Sequence, residues 1–371
     1  MIQQIFREHQ KEDLKSYLKS FDSKNIFLIR DDGSYEISGA KTFLKNTLNI
    51  SPVLSFFDFA PNPQLIDLRK GISTFNQKKH DIIIAIGGGS VIDMAKLISV
   101  FAHQEEDIDA ILDGTFKLNS KKTPLIAIPT TAGTGAEATE FAVLYRDKLK
   151  YSVLGETLLP DCVYLSHQFS LSAPVYLTAS TGLDAFAQAI ESAWSVNAND
   201  ESLAYSYKAT KIIWHNLEHA CKGDIRAKQL MQEAAFLSGK AINITKTTAP
   251  HAISYGFSSY YNIPHGHAVA ISLPFFFSFN ANVKNDDCTD SRGAEHVKQR
   301  INRILELLDT NQNNIIQDLT LFFDKLNINI KISELIPNFN PELITKSVNF
   351  DRLSNNPRKV TKKDIERLLN T

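Results

Sequence analysis

The chain has 371 residues, of which 43% are hydrophobic and 22% charged, and its 40 basic and 41 acidic residues give a formal net charge of −1. This length predicts two domains, and this composition is typical of a globular protein. The balanced charge argues against a nucleic-acid partner, because nucleic-acid-binding domains carry a basic excess. The three cysteines have no CxxC spacing and predict no disulfide framework.

The N-terminal region predicts a cytoplasmic protein. Residues 1–15 lack the apolar stretch of a signal peptide. No window of the sequence approaches the run of about 20 apolar residues that crosses a membrane. We therefore expect neither secretion nor a membrane partner.

Short apolar runs alternate with helical patterns in the first half of the chain. The predicted strands cover 25–30, 53–57, 81–86 and 125–128, and the predicted helices cover 39–48, 65–75 and 91–102. Continuous apolar strands separated by helices are typical of βαβ units. We therefore predict an open, doubly wound parallel sheet with both faces covered.

The second half has patterns that are mostly of helical length. The predicted helices cover 181–194, 202–219, 225–242, 266–279, 294–308, 314–326 and 362–369. The change of character near residue 165 predicts an α/β domain over 1–165 and an all-helical domain over 166–371.

A glycine run, Gly87-Gly88-Gly89-Ser90, lies between a predicted strand and a predicted helix. Glycines allow the backbone to approach a ligand closely. We expect Ser90 to cap the helix, with Asp93 as its capping-box partner. The free N–H groups of this helix end would then suit a phosphate group. The alternative is a tight strand–helix turn that binds no ligand.

A second loop, residues 129–137, follows the next predicted strand and is rich in glycine and threonine. Such a loop can lie against a cofactor and donate hydroxyl and backbone hydrogen bonds. Two glycine-rich loops at the carboxyl ends of two parallel strands favour a nucleotide, because open α/β sheets bind nucleotides at that edge. The alternative is a plain flexible loop.

The helical half contains a candidate metal site. Asp184 and Gln188 are four residues apart on a helical pattern and share one face. His251 and His265 are fourteen residues apart. One carboxylate and two imidazoles can bind a divalent cation, with the Gln188 amide as a weak fourth ligand. The alternative is that these histidines are hydrogen-bonded core residues.

Four motifs together give the chain a family resemblance. They are GGGSVIDMAK at 87–96, IPTTAGTGAEAT at 128–139, TGLDAFAQAIES at 181–192 and HAISYGFSSYYNIPHGHAVAISLP at 251–274. The chain resembles the iron-containing (group III) alcohol dehydrogenase family, with its dehydroquinate synthase-like fold. The resemblance implies a Rossmann-type dinucleotide-binding domain, an all-helical metal and substrate domain and a catalytic cleft between them. It also implies NAD(P)-dependent interconversion of an alcohol and a carbonyl compound, one Fe²⁺ or Zn²⁺ ion, and a homodimer.

The chain departs from the family pattern at the metal. Asp184, His251 and His265 stand where three family ligands belong, but Gln188 occupies the place of a histidine. An amide oxygen is a poorer ligand than imidazole for these metals. The site is therefore expected to bind metal weakly, to prefer a harder cation or to work without one.

Two residues are candidates for proton transfer to the substrate oxygen. Tyr255 stands where many family members have a further histidine, and it either donates this proton or simply packs. In the absence of metal, Tyr255 or His267 would stabilise the developing alkoxide by donating a proton.

The resemblance also indicates how the cofactor is bound. The residues expected to hold and line it are Gly87, Gly88, Gly89, Ser90, Asp93, Thr130, Thr131 and Thr134. Asp31 ends the first predicted strand, where a carboxylate accepts hydrogen bonds from the adenosine ribose and repels a 2′-phosphate. We therefore expect NADH rather than NADPH, although Arg30 beside it would favour the reverse.

Within the family, one branch is most similar. The runs at 33–40, 192–202, 246–255 and 352–361 resemble the phosphonoacetaldehyde reductase (hydroxyethylphosphonate dehydrogenase) branch. The substrate implied is a small aldehyde with a phosphonate group, in a pathway of phosphonate biosynthesis. Lys246, Arg352 and Arg358 are candidate partners for that anion. The alternative is that Arg358 caps a turn and Lys246 is a surface charge.

Two other functions stay open at this point. One is a general short-chain alcohol dehydrogenase, or a maleylacetate-type reductase, acting on aldehydes that lack the phosphonate. The other is a nucleotide-binding protein that has lost catalysis, which the substitution at Gln188 suggests.

Overall fold

The computed structural model describes residues 3–21, 25–114, 117–119, 122–147, 149–348 and 350–370. Contacts between α-carbons divide the chain into two compact units. One comprises residues 1–131 and 135–173, and the other comprises 132–134 and 174–371. Residues 166–173 therefore group with the first unit, and a short piece of the second glycine-rich loop groups with the second unit.

The first unit is an α/β structure. Its strands are β1 (Gln4–Arg7), β2 (Ile26–Arg30), β3 (Leu54–Phe56), β4 (Ile82–Gly87), β5 (Leu125–Pro129), β6 (Phe141–Arg146), β7 (Leu149–Leu154) and β8 (Cys162–Leu165). Its α-helices are α1 (Lys11–Lys19), α2 (Ser34–Ile37), α3 (Ala40–Thr42), α4 (Leu65–Phe75), α5 (Gly89–Phe101) and α6 (Ile108–Leu112). Six strands form a parallel sheet in the order β1-β8-β5-β4-β2-β3, which confirms the predicted fold.

Strand β4 shows why the apolar runs are continuous. All six of its residues are buried. Ile83 and Ala85 belong to one apolar cluster with residues of α4 and α5, whereas Ile82, Ile84 and Ile86 belong to a second cluster with residues of α1. Because both faces of the sheet are covered, the usual alternation of apolar and polar residues is lost.

Some elements of the first unit were not predicted from the sequence. Strand β1 is half-exposed and its sequence, QIFR, mixes polar with apolar residues, while β8 has only four residues. Strands β6 and β7 form an antiparallel hairpin that the βαβ pattern does not include. The helix predicted at 39–48 is instead α3 followed by a π-helical turn, Phe43–Thr47, which buries Phe43 and Leu44.

The second unit is mostly helical, as predicted. Its helices are α7 (Val175–Trp194), α8 (Asp200–Cys221), α9 (Ile225–Thr245), α10 (Ala249–Tyr261), α11 (His265–Ala281), α12 (Ala294–Leu307), α13 (Ile315–Lys325), α14 (Ile332–Leu335), α15 (Pro341–Ser347) and α16 (Lys362–Leu369). Helix α10 was not predicted. Its Pro250 lies in the first turn, where proline is tolerated. Across the described part of the chain, we find no helix with the length and apolar character needed to cross a membrane.

Helix α7 lies at the centre of this unit and is buried almost all round. Its apolar side chains pack into a core shared with α8, α9, α11, α12 and α13. Five polar residues of the same helix are also buried, namely Ser180, Asp184, Gln188, Glu191 and Ser192. Buried polar groups need partners, so this helix face is a candidate functional site.

Candidate functional site

The carboxyl ends of β2, β4 and β5 bring several predicted cofactor residues to one sheet edge. Thr130 N–H donates to the Gly87 carbonyl at 2.9 Å, and the Thr130 hydroxyl lies 3.3 Å from that of Ser34. Ser34 in turn donates from its N–H and its hydroxyl to the Asp31 carboxylate. Ser34 and Thr130 therefore link Asp31 to Gly87 at the edge where nucleotides bind in open sheets.

The glycine run begins helix α5 in a way that differs from the prediction. The helix starts at Gly89 with Gly88 as its N-cap, so Ser90 lies inside the first turn and is not the cap. The Ser90 hydroxyl accepts a hydrogen bond from Asn62 N–H at 3.1 Å. Asp93 is not a capping-box partner either: its partly buried carboxylate accepts from Val143 N–H at 3.1 Å. Burial raises the pKa of Asp93 despite the opposing charge of Lys96.

The consequence is a helix end that is open to an anion. Gly88 has no side chain that could take up the first N–H groups, as a serine or aspartate cap would. Gly87 is required by close packing, since a β-carbon there would lie 2.5 Å from a methyl group of Val91. A glycine-flanked helix N-terminus at this edge fits the pyrophosphate of a dinucleotide.

The second glycine-rich loop is divided between the two units. Thr131 lies beside Gly88, where a β-carbon would be 3.5 Å from the Thr131 hydroxyl. Gly133 packs on α7 so closely that a β-carbon would lie 2.6 Å from Cβ of Thr181. The carbonyl of Thr134 accepts a hydrogen bond from Gln188 Nε2 at 3.2 Å.

Three predicted metal ligands come together in the second unit. Asp184 of α7, His251 of α10 and His265 of α11 each offer one ligand atom, and these atoms lie within 4.8 Å of one another. His251 Nε2 is 3.2 Å and His265 Nε2 is 3.8 Å from Asp184 Oδ1. Asp184 and His251 are buried, whereas the His265 side chain is 33% exposed.

Gly266 explains why His265 can lie so close to Asp184. A β-carbon at Gly266 would be 1.9 Å from the Ser180 carbonyl oxygen and 3.0 Å from Cβ of Asp184. Only glycine allows α11 to begin against the backbone of α7 at this point. The first residue of α11 is thereby held beside the Asp184 carboxylate.

Glu191 is a site residue that sequence reasoning missed. Its carboxylate is buried, and it accepts a hydrogen bond from His251 Nδ1–H. The other carboxylate oxygen accepts from the N–H and the hydroxyl of Thr248, at 2.6 and 2.9 Å. Asp184, Gln188 and Glu191 have the i, i+4, i+7 spacing of one helix face, and this spacing was the available signal.

The tautomer and the charge of His251 follow from these contacts. A carboxylate can only accept, so the Nδ1 atom carries a proton and Nε2 faces Asp184. Burial alone would lower the pKa of His251, but the Glu191 and Asp184 carboxylates outweigh it and raise the pKa to about 10. In the absence of a cation, the imidazolium therefore neutralises part of the buried negative charge.

Gln188 is tied to the glycine-rich loop and to α9. Its amide nitrogen donates to Thr134, and its Oε1 atom accepts from the Ser238 hydroxyl at 3.4 Å. Its predicted part in metal binding stays a prediction. The loop contact accounts for a buried amide at this position.

The two candidate proton donors lie in different surroundings. Tyr255 follows His251 by one turn of α10 and stacks on His265, with ring centroids 5.8 Å apart and planes 5° apart. His267 is buried, with Nε2 donating to the Asn329 carbonyl at 2.6 Å and Nδ1 accepting from the Tyr176 hydroxyl at 2.8 Å. Burial lowers the pKa of His267. The structure thus brings Tyr255, rather than His267, against a candidate metal ligand.

Of the residues predicted to bind the substrate anion, Arg358 is engaged in contacts within the protein. Arg358 donates to the Asp287 carboxylate and the Phe279 carbonyl, both at 2.8 Å, and it lies over the Phe279 ring. These contacts favour the structural alternative for Arg358. The side chain of Arg352 lies outside the described part of the structure.

Lys246 has an unusual backbone. It ends α9 with φ 58° and ψ 178°, in a region that is essentially reserved for glycine and costs about 1–3 kcal/mol for other residues. Its ammonium group donates to the Asn243 carbonyl at 3.0 Å. Strain of this kind persists only where the surrounding structure imposes it, and it clusters at functional sites.

The Asp184–His251–His265 set is chemically suited to a divalent metal. Two imidazoles and one carboxylate are ligands that Zn²⁺ and Fe²⁺ accept, and such sets leave positions open for water or substrate. The Glu191 carboxylate accepts from the His251 ring nitrogen that does not face Asp184, and a second partner of this kind is usual for metal-binding histidines. A ligand set of this kind is typical of a metal-dependent enzyme.

Comparisons with known proteins identify the family. The family model described as "Iron-containing alcohol dehydrogenase" matches residues 3–167. The model described as "Fe-containing alcohol dehydrogenase family, C-terminal" matches residues 178–371. The chain therefore belongs to the iron-containing alcohol dehydrogenase family, as its four motifs predicted.

Individual relatives differ in how much of their length is matched. Aldehyde-alcohol dehydrogenase 2 of Entamoeba histolytica is 32% identical over 270 residues, which are 69% of this chain but 31% of that protein. Phosphonoacetaldehyde reductase of Streptomyces viridochromogenes is 29% identical over 309 residues, covering 78% of this chain and 76% of that protein. The chain spans 58% of long-chain-alcohol dehydrogenase 1 of Geobacillus thermodenitrificans, which is 33% identical over 60% of this chain.

A solved structure supports the fold over the whole chain. The sulfoacetaldehyde reductase of Bifidobacterium kashiwanohense, in complex with NAD⁺, superposes with a TM-score of 0.85 at 23% identity. The superposition covers 99% of this chain and 96% of that one.

Proposed function

We propose that this protein catalyses NAD(P)H-dependent interconversion of a small aldehyde and its alcohol. The observation that carries this proposal is the Asp184–His251–His265 cluster with Tyr255 stacked on His265. When bound, the nicotinamide supplies the hydride and the metal polarises the carbonyl as a Lewis acid. Family membership supports both expectations.

The chain's own residues then have distinct tasks. Asp184, His251 and His265 would hold the cation, and Glu191 keeps the proton of His251 on Nδ1 so that Nε2 is available as a ligand. Tyr255 donates a proton to the oxygen of the developing alkoxide in the reduction direction.

The cofactor preference rests on the end of β2. Both oxygens of Asp31, which is proposed to bind the ribose, accept hydrogen bonds from Ser34, and these bonds fix the orientation of the carboxylate. Arg30 pairs with Asp32 at 2.9 Å and stacks on Phe57, so its charge is partly neutralised. We propose NADH as the better cofactor. Equal kcat/KM values with NADH and NADPH would contradict this preference.

The finer proposal is that the aldehyde is phosphonoacetaldehyde, which is reduced to 2-hydroxyethylphosphonate. Similarity to the Streptomyces phosphonoacetaldehyde reductase and the strained Lys246 support it. One observation favours the second candidate, a general short-chain alcohol dehydrogenase: Arg358 is committed to Asp287, which leaves fewer cations for a phosphonate.

An NADH-oxidation assay tests these proposals. Phosphonoacetaldehyde would be compared with propanal, using enzyme stripped by a chelator and then resupplied with Fe²⁺, Zn²⁺ or no metal. We expect metal-dependent turnover and a higher kcat/KM for the phosphonate. The Lys246→Met variant should lose this preference, whereas Lys346→Met, on the exposed face of α15, should keep it. Equal kcat/KM for both aldehydes would support the general dehydrogenase, and NADH binding without turnover would support a non-catalytic protein.

A further inference from the structure

The connection between α9 and α10, residues 245–248, is fixed by side chains from distant parts of the chain. The Thr245 carbonyl accepts from the Ser195 hydroxyl at 3.2 Å and from Asn197 Nδ2 at 3.3 Å. The Thr247 carbonyl accepts from Asn355 Nδ2 at 3.3 Å. Asn197 Nδ2 also donates to Asn355 Oδ1 at 3.0 Å. The two asparagines therefore form a joined pair, which we call the amide clamp.

The amide clamp holds the peptide planes around Lys246. It fixes the peptide before Lys246 through Asn197 and the peptide after Thr247 through Asn355. The carbonyl of Lys246 itself accepts from the Thr245 hydroxyl at 2.9 Å, which fixes the peptide in between. Three successive peptide planes are thus held, and these contacts account for a lysine kept at φ 58°.

The same connection leads into the candidate metal site. Thr248 is the N-cap residue of α10, and its N–H donates to Glu191, which also accepts from His251. The backbone that carries Lys246 is therefore held to the same carboxylate as a metal-ligand histidine. A lysine ammonium has three donors, so Lys246 can keep its bond to the Asn243 carbonyl and still contact an anion.

We propose that Asn197 and Asn355 are specificity-determining positioning residues, which hold Lys246 so that its ammonium receives the tetrahedral anion of the substrate. This inference rests on the proposed function. The chemistry recognised is a compact anionic group with several acceptor oxygens, borne by a short aldehyde, so a phosphonate and a sulfonate are both candidates. A glycine would adopt the backbone without strain, but it would lack the charge.

The experiment measures specificity in the metal-loaded holoenzyme. The variants are Asn355→Ala, Asn197→Ala, Lys246→Gly and the double variant Asn355→Ala/Lys246→Gly, with Asn282→Ala as an exposed control. For each variant, kcat and KM are determined with phosphonoacetaldehyde, sulfoacetaldehyde and propanal, together with the Ki of methylphosphonate. The comparison of the two anionic aldehydes distinguishes a phosphonate substrate from a sulfonate one.

We expect Asn355→Ala to lower the ratio of kcat/KM between the preferred anionic aldehyde and propanal by about tenfold, mainly through KM. Lys246→Gly should lower the same ratio while raising the thermal midpoint, since the backbone strain is relieved. In the double variant, the loss should not exceed that of Lys246→Gly, because both changes act through one ammonium group.

Two results would overturn the inference. One is a loss in Asn355→Ala that is equal for all three aldehydes and falls on kcat, which indicates a structural role only. The other is a double variant in which Asn355→Ala lowers the ratio of kcat/KM as much in the Lys246→Gly background as it does in the unmodified enzyme. If the unmodified enzyme turns over propanal as well as both anionic aldehydes, the proposal of an anionic substrate fails instead, and the inference fails with it.

Discussion

Gly266 faces the carbonyl oxygen of Ser180 so closely that a β-carbon would lie 1.9 Å from that oxygen. This contact is between the backbones of α11 and α7, and neither can yield as a flexible side chain could. Since His265 precedes Gly266 and Asp184 follows Ser180 by one turn of α7, the contact sets the separation of two candidate metal ligands. The geometry of the candidate metal site therefore depends on a residue that has no side chain.

We predict that Gly266→Ala weakens metal binding by at least about tenfold, because α11 must move away from α7 and carry His265 with it. The measurement is the Zn²⁺ Kd by competition with a chromophoric chelator. Gly182→Ala serves as the control, because its β-carbon meets the flexible end of Leu217 and not a metal ligand. Gly182→Ala should lower stability but leave the Kd unchanged. Retained Zn²⁺ affinity in folded Gly266→Ala would contradict this account.

Glu191 offers a second test of the same site. We predict that Glu191→Ala lowers Zn²⁺ affinity by about 10- to 100-fold, because His251 loses the acceptor that fixes its ring and its tautomer. Glu191→Gln should lose less, since an amide oxygen still accepts from Nδ1–H. Glu218, which is only partly buried and pairs with Lys222, gives a control in Glu218→Gln. Equal Kd values for all three variants and the unmodified protein would show that Glu191 does not support the ligand.

The sequence predicted those parts of the protein that depend on local patterns. Strand β4 and helix α4 were predicted because continuous apolar runs and helical periodicity are visible within a few residues. The same helix face that identified Asp184 also contained Glu191, but its partner Thr248 is 57 residues away. The roles of His267 and Arg358 depend on the Asn329 carbonyl and on Asp287, and no local spacing indicates such pairings.

The part that position 188 plays in metal binding can be tested by introducing histidine, the residue that the family resemblance implies there. We predict that Gln188→His raises Zn²⁺ affinity by at least about tenfold, because imidazole is a better ligand than an amide and this position shares a helix face with Asp184. The Kd is measured as above, and the d–d spectrum of the Co²⁺-loaded protein should change if a fourth ligand is added. Gln317→His, at an exposed position of α13, is the control. An unchanged Co²⁺ spectrum would mean that position 188 does not face the cation and that Gln188 serves only its contacts with Thr134 and Ser238.

Asp290 gives a prediction about stability at acid pH. It is buried and pairs with Arg292 at 2.8 Å and with buried Arg300, which also donates to the Ser195 carbonyl after the end of α7. Burial raises the pKa of Asp290, but hydrogen bonds from Arg292 and the charge of Arg300 outweigh it and lower the pKa to about 2. A carboxyl group in an unfolded chain has a pKa of about 3.9, so the ionised form is favoured by folding.

The stabilisation from Asp290 is therefore complete above about pH 4 and is lost as the pH falls towards 2. At pH 7, we expect Asp290→Asn to lower the free energy of unfolding by about 3–5 kcal/mol, because Arg300 is left as an uncompensated buried charge. At pH 3, the difference from the unmodified protein should be smaller. Urea unfolding at both pH values measures this difference in the free energy of unfolding. The control is Asp286→Asn, at an exposed position of the same loop. A difference that stayed constant between pH 7 and pH 3 would show that the ionisation of Asp290 is not what stabilises the fold.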